Sequence, residues 1–297
     1  MHAHLPRNRF VTLLSAISIS LFSAHALAEK SVASKTHSLE HILANQSDEH
    51  KARHEFRNPQ KTLEFFDIKP GMTVVEVLPG NSGWYSKVLL PLLEDEGTLI
   101  GADYPLALWN HFSFMTPERL EGKKTWVTSW IQTAQEWRTD NSAQLNAFQF
   151  ANAPKSLNEK ADAVLFIRAL HNLNRFNDKG GYLDDSLKDT FNVLKPGGIV
   201  GIVQHQARED RPDSWADGNN GYLKKSFVMK KMAEHGFEFV ASSDINANPK
   251  DQAGEGDNVW RLLPSLRSKD PEVKKAMKAI GESNRMTLLF KKPLADK

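Results

Sequence analysis

Glu76, Gly80, Gly83 and Asp103 fall in one stretch where carboxylates close two apolar runs and glycines break the interval between them. A carboxylate ending a buried run needs a donor or a cation. An acid in the second of these places is positioned to accept hydrogen bonds from ribose hydroxyls. Glycines in the interval let backbone approach a ligand closely. Further along, Arg168, His171, Asn172 and His205 follow two more apolar runs. Histidine takes up a proton near neutral pH, and arginine recognises oxyanions. Together these residues point to a bound nucleoside beside a place for proton removal or anion recognition.

The elements that must position them are readable from the pattern. Thr73 to Val77 is a short β-branched run of the kind that forms a parallel strand buried on both faces. Pro79 to Gly83 breaks it, helical spacing resumes at Trp84, Val88, Leu89 and Leu92, and Gly97 ends the helix. Thr98 to Ala102 is the next strand, ending on Asp103. Asn146 to Ala151 predicts a third strand followed by Asn152, and Ala161 to Leu170 a fourth running into His171. Tyr182 to Leu194 is amphipathic and stops at Lys195-Pro196-Gly197-Gly198, before a strand over Ile199 to Val203 that reaches His205. A helix over Gly221 to His235 and strands over Phe237 to Ser242 and Met286 to Lys291 complete an α/β, doubly wound pattern. In such sheets ligands bind outside the carboxyl ends of the strands, at the switch point between the first and fourth.

The first turn lacks the dinucleotide fingerprint, since Leu78 stands where its first glycine would be and Pro79 removes an N–H donor. Glu76 followed by Pro-Gly-Asn-Ser-Gly-Trp-Tyr instead resembles motif I of class I S-adenosylmethionine-dependent methyltransferases. More narrowly it resembles an exported bacterial subgroup with the form V-x-E-x-x-P-G-x-x-G-W-Y, and Leu-Lys-Pro-Gly-Gly at 194–198 is also similar to that family. The likeness spans about Thr62 to Pro293. It implies a Rossmann-like seven-stranded sheet with an antiparallel last strand and helices on both faces. It further implies S-adenosylmethionine held by Glu76, Gly80, Gly83, Tyr85 and Asp103, with Asn152 near the adenine. Methyl transfer to a small-molecule acceptor is the expected reaction, with His171, then His205, as base and Arg168 and Asn172 on the acceptor. A non-catalytic metabolite binder on the same fold and a nucleotide-dependent oxidoreductase are the alternatives, the second disfavoured by the missing fingerprint.

Composition narrows the partners. Of 297 residues, 38 are Lys or Arg and 36 Asp or Glu, and the surplus is Arg7 and Arg9 in a segment without acids. The rest is balanced, which argues against nucleic acid. Met1 to Arg9 is basic, Phe10 to Phe22 apolar and Ala26-Leu27-Ala28 an A-x-A site, predicting a signal peptide over 1–28 and a periplasmic or secreted protein without stable membrane insertion. A helical segment is expected over 29–60 and the methyltransferase-like domain over 61–297. With no Cys, disulfides and thiol nucleophiles are excluded. His50 and His54 share a helical face, but without companion ligands they read as part of a solvated helix and no metal is expected. Trp109, Trp126, Trp130 and Trp137 lack clean periodicity and suit either an aromatic pocket or core filling.

Overall fold

The structure is a computed structural model and describes residues 1–2 and 38–294. The predicted signal peptide lies almost wholly outside the described residues. Four short helices open the described chain, α1 (Leu39–Ala44), α2 (Asp48–Lys51), α3 (His54–Arg57) and α4 (Pro59–Phe65). Strand β1 (Thr73–Val77), helix α5 (Ser86–Leu93) and strand β2 (Thr98–Asp103) follow; the strands match the pattern, and the helix starts two residues after Trp84 and ends at Leu93, before the expected stop at Gly97. Then come α6 (Pro117–Lys124), α7 (Trp126–Gln135), β3 (Gln144–Gln149), β4 (Ala161–Ile167), α8 (Leu170–Arg175), α9 (Tyr182–Val193) and β5 (Leu194–Ala207). The chain closes through β6 (Leu223–Lys224), α10 (Lys225–Glu234), β7 (Glu238–Ser243), α11 (Pro271–Ile280) and β8 (Arg285–Lys291).

The sheet order is β3-β2-β1-β4-β5-β8-β7, with the two-residue β6 beside β5. Strands β1 to β5 pair in parallel, and β8 runs antiparallel between β5 and β7. This is the doubly wound sheet with an antiparallel last strand that the sequence leads one to expect, and the order reverses between β1 and β4. Alternation along each strand separates two cores. Val75, Ile100, Val164 and Val200 pack beneath α8, α9 and α10, while Val74, Leu99, Leu165 and Val203 pack beneath α1, α4, α5 and α7.

Three local differences from the pattern bear on the site. Arg168 adopts φ +60°, which ends β4 and lets the chain turn into α8. His171 and Asn172 therefore sit on a helix rather than at a strand end, because a short apolar run reads alike for strand and buried helix. Lys195 to Gly198 is not a free turn but an irregularity within β5, where the pairing shifts from Ala161↔Leu194 to Ala163↔Ile199. The segment holding His50 and His54 is broken into two short helices, and both rings meet Trp84 edge-on, with centroids 6.4 and 5.9 Å away.

Candidate functional site

Register places the carboxyl ends of β1, β2 and β4 side by side, with Val77 opposite Ala102 and Phe166. Tyr104 ties two of these ends together: its hydroxyl donates to the Ala169 carbonyl at 2.6 Å and accepts from Asn172 Nδ2 at 3.4 Å. Over this edge opens a cavity of about 710 Å³, a size ordinary for a small-molecule site. Leu78 and Tyr104, which follow β1 and β2, form its floor, and Trp109, Phe112 and Phe114 one wall. Asn172 and Arg175 on α8, Asn219, Asn220, Asn258, Trp260 and Arg267 enclose the rest.

Leu78 keeps the left-handed backbone of the glycine it replaces, at φ +55°, and lines the cavity. That conformation costs a non-glycine residue roughly 1 kcal/mol, so the tight turn is retained against a steric penalty. Asp103 is fully buried. Its Oδ2 accepts from Lys123 Nζ at 2.9 Å, and that ammonium lies 3.6 Å from the Trp109 ring centroid. Burial pushes the Asp103 carboxyl above its ordinary pKa, while Lys123 pulls it back. Asp103 Oδ1, Trp109 Nε1 and Asn172 Oδ1 are all buried; the Trp109 indole N–H faces the Asp103 carboxyl and lowers its pKa without a well-aligned hydrogen bond, and Asn172 Oδ1 has no partner. Trp109 and Asn172 line the cavity and Asp103, wholly buried, does not; incompletely bonded polar atoms at a cavity mark a place where a ligand supplies partners.

The motif I residues are disposed differently. Glu76 points to the face that α5 covers, where Ser86 Oγ donates to its Oε2 at 2.6 Å. Burial raises Glu76 to about pKa 7, with the Ser86 hydrogen bond opposing. Gly83 has φ +58°, and a Cβ there would come within 2.3 Å of the Trp137 ring, so close packing with Trp137 is what this glycine permits. Gly80 is exposed and a Cβ would meet nothing within 4 Å. Tyr85 is buried, its hydroxyl 3.5 Å from the Arg57 carbonyl. Asn152 lies exposed in the turn after β3 and does not line the cavity.

Arg168 turns away from the cavity to Glu282, reaching Oε2 from Nη1 at 3.4 Å. Arg53, Arg57 and Arg285 meet the same carboxylate. Burial would raise Glu282, but Arg285, Arg168, Arg57 and Arg53 overcome it and hold the carboxyl at about pKa 2. His171 is buried with its ring 5.4 Å from His205 and 6.1 Å from Trp260. Desolvation lowers it to about pKa 4 against the Gln204 side chain, which raises it, so the ring is a neutral imidazole near pH 7. His205 Nδ1 is 2.5 Å from Ser283 Oγ, and burial followed by His171 lowers its pKa well below the usual value. Neither histidine lines the cavity, although their neighbours Asn172 and Trp260 do.

Arg175, Trp260 and Arg267 were not singled out by sequence. Arg175 ends the short helix α8, seven residues after Arg168, and the other two come from a stretch whose composition carries no periodic signal.

No family model matches the chain, and no curated protein matches it. Solved structures do. The (4+2)-cyclase SpnF superposes with a TM-score of 0.50 at 15% identity, over 80% of this chain and 81% of that one. Geranyl diphosphate C-methyltransferase from Streptomyces coelicolor gives 0.49 at 13% identity, over 84% of this chain and 85% of its own. An S-adenosylmethionine-dependent methyltransferase from Aquifex aeolicus gives 0.46 at 12%, over 86% and 98%. At these identities the likeness is one of fold.

Proposed function

We propose that the chain is an S-adenosylmethionine-dependent methyltransferase acting on a small molecule in the cavity over β1, β2 and β4. The observation that carries this reading is the buried Asp103 at the end of β2, whose Oδ1 meets only a poorly aligned Trp109 indole N–H, at the edge where a ribose belongs in a sheet of this order. When bound, the cofactor supplies a methyl group on a positively charged sulfur, open to in-line displacement. The chain's own residues bind and orient. Asp103 Oδ1 accepts from ribose hydroxyls, while Lys123 holds the other oxygen in place. Leu78, Tyr104 and Trp109 wall the nucleoside side, and Asn172 presents an unused carbonyl oxygen to the acceptor. Holding two reactants in one cavity can supply much of the acceleration. Where the acceptor carries a proton, neutral His171 is the base we assign, with His205 behind it. The segment over 1–28 is proposed to direct export, which N-terminal sequencing of the exported protein should show by a start at Glu29.

The test is calorimetric titration with S-adenosylmethionine and S-adenosylhomocysteine. Micromolar binding, weakened in Asp103→Ala, supports the reading, and absence of binding to folded protein removes it. A second reading, a binder that transfers nothing, draws on the turn: Trp137 fills the space at Gly83, and Ser86 already satisfies Glu76. It predicts that His171→Ala keeps ligand affinity and that no methyl transfer is detected in the parent protein.

A further inference from the structure

Arg175 is half-buried on α8, lines the cavity, and its Nε is buried without a hydrogen-bond partner. Its guanidinium carbon lies 4.8 Å from the Phe176 ring centroid. Arg267 stands exposed at the cavity's rim, with its guanidinium carbon 5.2 Å from the centroid of Trp260. Neither arginine has an ion pair among the described residues, and no Asp or Glu lines the cavity. Nearby arginines are treated otherwise. Arg168 is paired with Glu282, and Arg261, from the same loop as Arg267, is clamped between Asp251 and Asp257. Arg168 and Arg261 are thus neutralised close by, while the two arginines that line the cavity are left uncompensated. A half-buried guanidinium without a counterion favours an anion, and its planar fork matches carboxylate and phosphate oxygens. The opposite wall is aromatic, and Phe114 in it is 52% exposed, 5.0 Å from the Phe112 ring. Such a wall holds a flat body by stacking and apolar burial.

We propose that Arg175 and Arg267 bind the oxyanion of a planar acceptor carrying a carboxylate or phosphate, an assignment that rests on the methyl-transfer reading of the same cavity. Arg175 fixes the anion at depth and Arg267 closes over it at the rim.

The probes are salicylate, phenyl phosphate and uncharged salicylamide, titrated into protein saturated with S-adenosylhomocysteine and read by tryptophan fluorescence. An anionic probe is expected to bind at least about tenfold tighter than salicylamide, the carboxylate and phosphate arms showing which oxyanion is preferred. Arg175→Gln should lose about tenfold or more of that affinity and Arg267→Gln a smaller factor, with salicylamide and S-adenosylhomocysteine affinities unchanged. If Arg175→Gln does not fold, Arg175→Lys keeps the charge without the fork and should fall between parent and Gln variant at Arg267. Equal affinity for charged and uncharged probes, or anion affinity indifferent to both arginines, overturns the proposal. Failure of S-adenosylhomocysteine to bind while Arg175-dependent anion binding persists would remove the methyl-transfer reading and leave the anion site standing.

Discussion

Two regions meet at the carboxyl edge of the same sheet and are built on opposite terms. On one side Glu282, 2% exposed, gathers Arg53, Arg57, Arg168 and Arg285, and every one of its oxygens is engaged. On the other, Asn172 Oδ1 and Arg175 Nε at the cavity have no partners, and Asp103 Oδ1 behind it meets only a poorly aligned Trp109 N–H. The first region holds the greater density of charge, yet its geometry is that of a fastener. It joins the N-terminal helices to β4 and β8 across more than a hundred residues of sequence. Unmet hydrogen-bonding capacity, rather than charge, distinguishes the site from the scaffold.

Breaking the fastener should have the largest effect. Glu282→Gln leaves four cations facing one another in a buried place, a loss of about 4 kcal/mol by comparison with other broken buried pairs. The thermal midpoint should fall by about 10 °C, with S-adenosylhomocysteine affinity intact at temperatures where the protein is folded. A change of similar affinity loss and unaltered melting would exchange the roles of the two regions.

The pH dependence of stability sharpens the contrast. Glu76, raised to about pKa 7, stays protonated in the folded protein while the unfolded chain ionises from its ordinary value of 4.5 upward. Its contribution to stability is therefore lost as pH rises from about 4.5 to 7, by roughly 3 kcal/mol. Glu282, held at about pKa 2, works in reverse: the stability it provides is present above 4.5 and lost as pH falls toward 2. Denaturant melts across pH should show Glu76→Gln more stable than the parent at pH 7 and without the fall that Glu76 imposes between pH 4.5 and 7, leaving the opposite slope from the buried, neutral His171 and His205. Unchanged slope in that variant would show that Glu76 is ionised in the fold.

At the end of β2, Asp103→Ala should weaken S-adenosylhomocysteine by about 30-fold, or about 2 kcal/mol, while costing less stability than the Glu282 change. The smallest effect belongs to Gly80→Ala, which should alter stability by less than about 0.5 kcal/mol because the new Cβ meets nothing. Any effect it has must appear in ligand affinity, so paired melting and calorimetry on this variant would isolate a binding role for the turn.

Much of the frame is legible in sequence because it is written in local terms. The β-branched run at Thr73, the break at Pro79 and the strand closing on Asp103 each follow from a few adjacent residues, and the structure keeps all three. Arg168 shows where such reading fails. Its left-handed backbone converts the end of an apolar run into a helix start, and its carboxylate partner lies 114 residues away. Nothing near Arg168 announces Glu282. The same holds for Trp260 and Arg267, which reach the cavity from a stretch without periodicity, and for Glu76, whose Ser86 partner depends on which face of β1 each side chain takes. Register and side-chain direction, fixed only by the assembled sheet, decide which polar residues are spent on structure and which are left for a ligand.

The most direct measurement of the cavity's role is ultraviolet crosslinking of S-adenosylmethionine to the protein, followed by tryptic mapping. Label is expected on the peptide 88–119, which carries Asp103, Tyr104 and Trp109, and excess S-adenosylhomocysteine should remove it. Label confined to other peptides, or label on 88–119 that S-adenosylhomocysteine does not displace, would contradict cofactor binding at the β2 end.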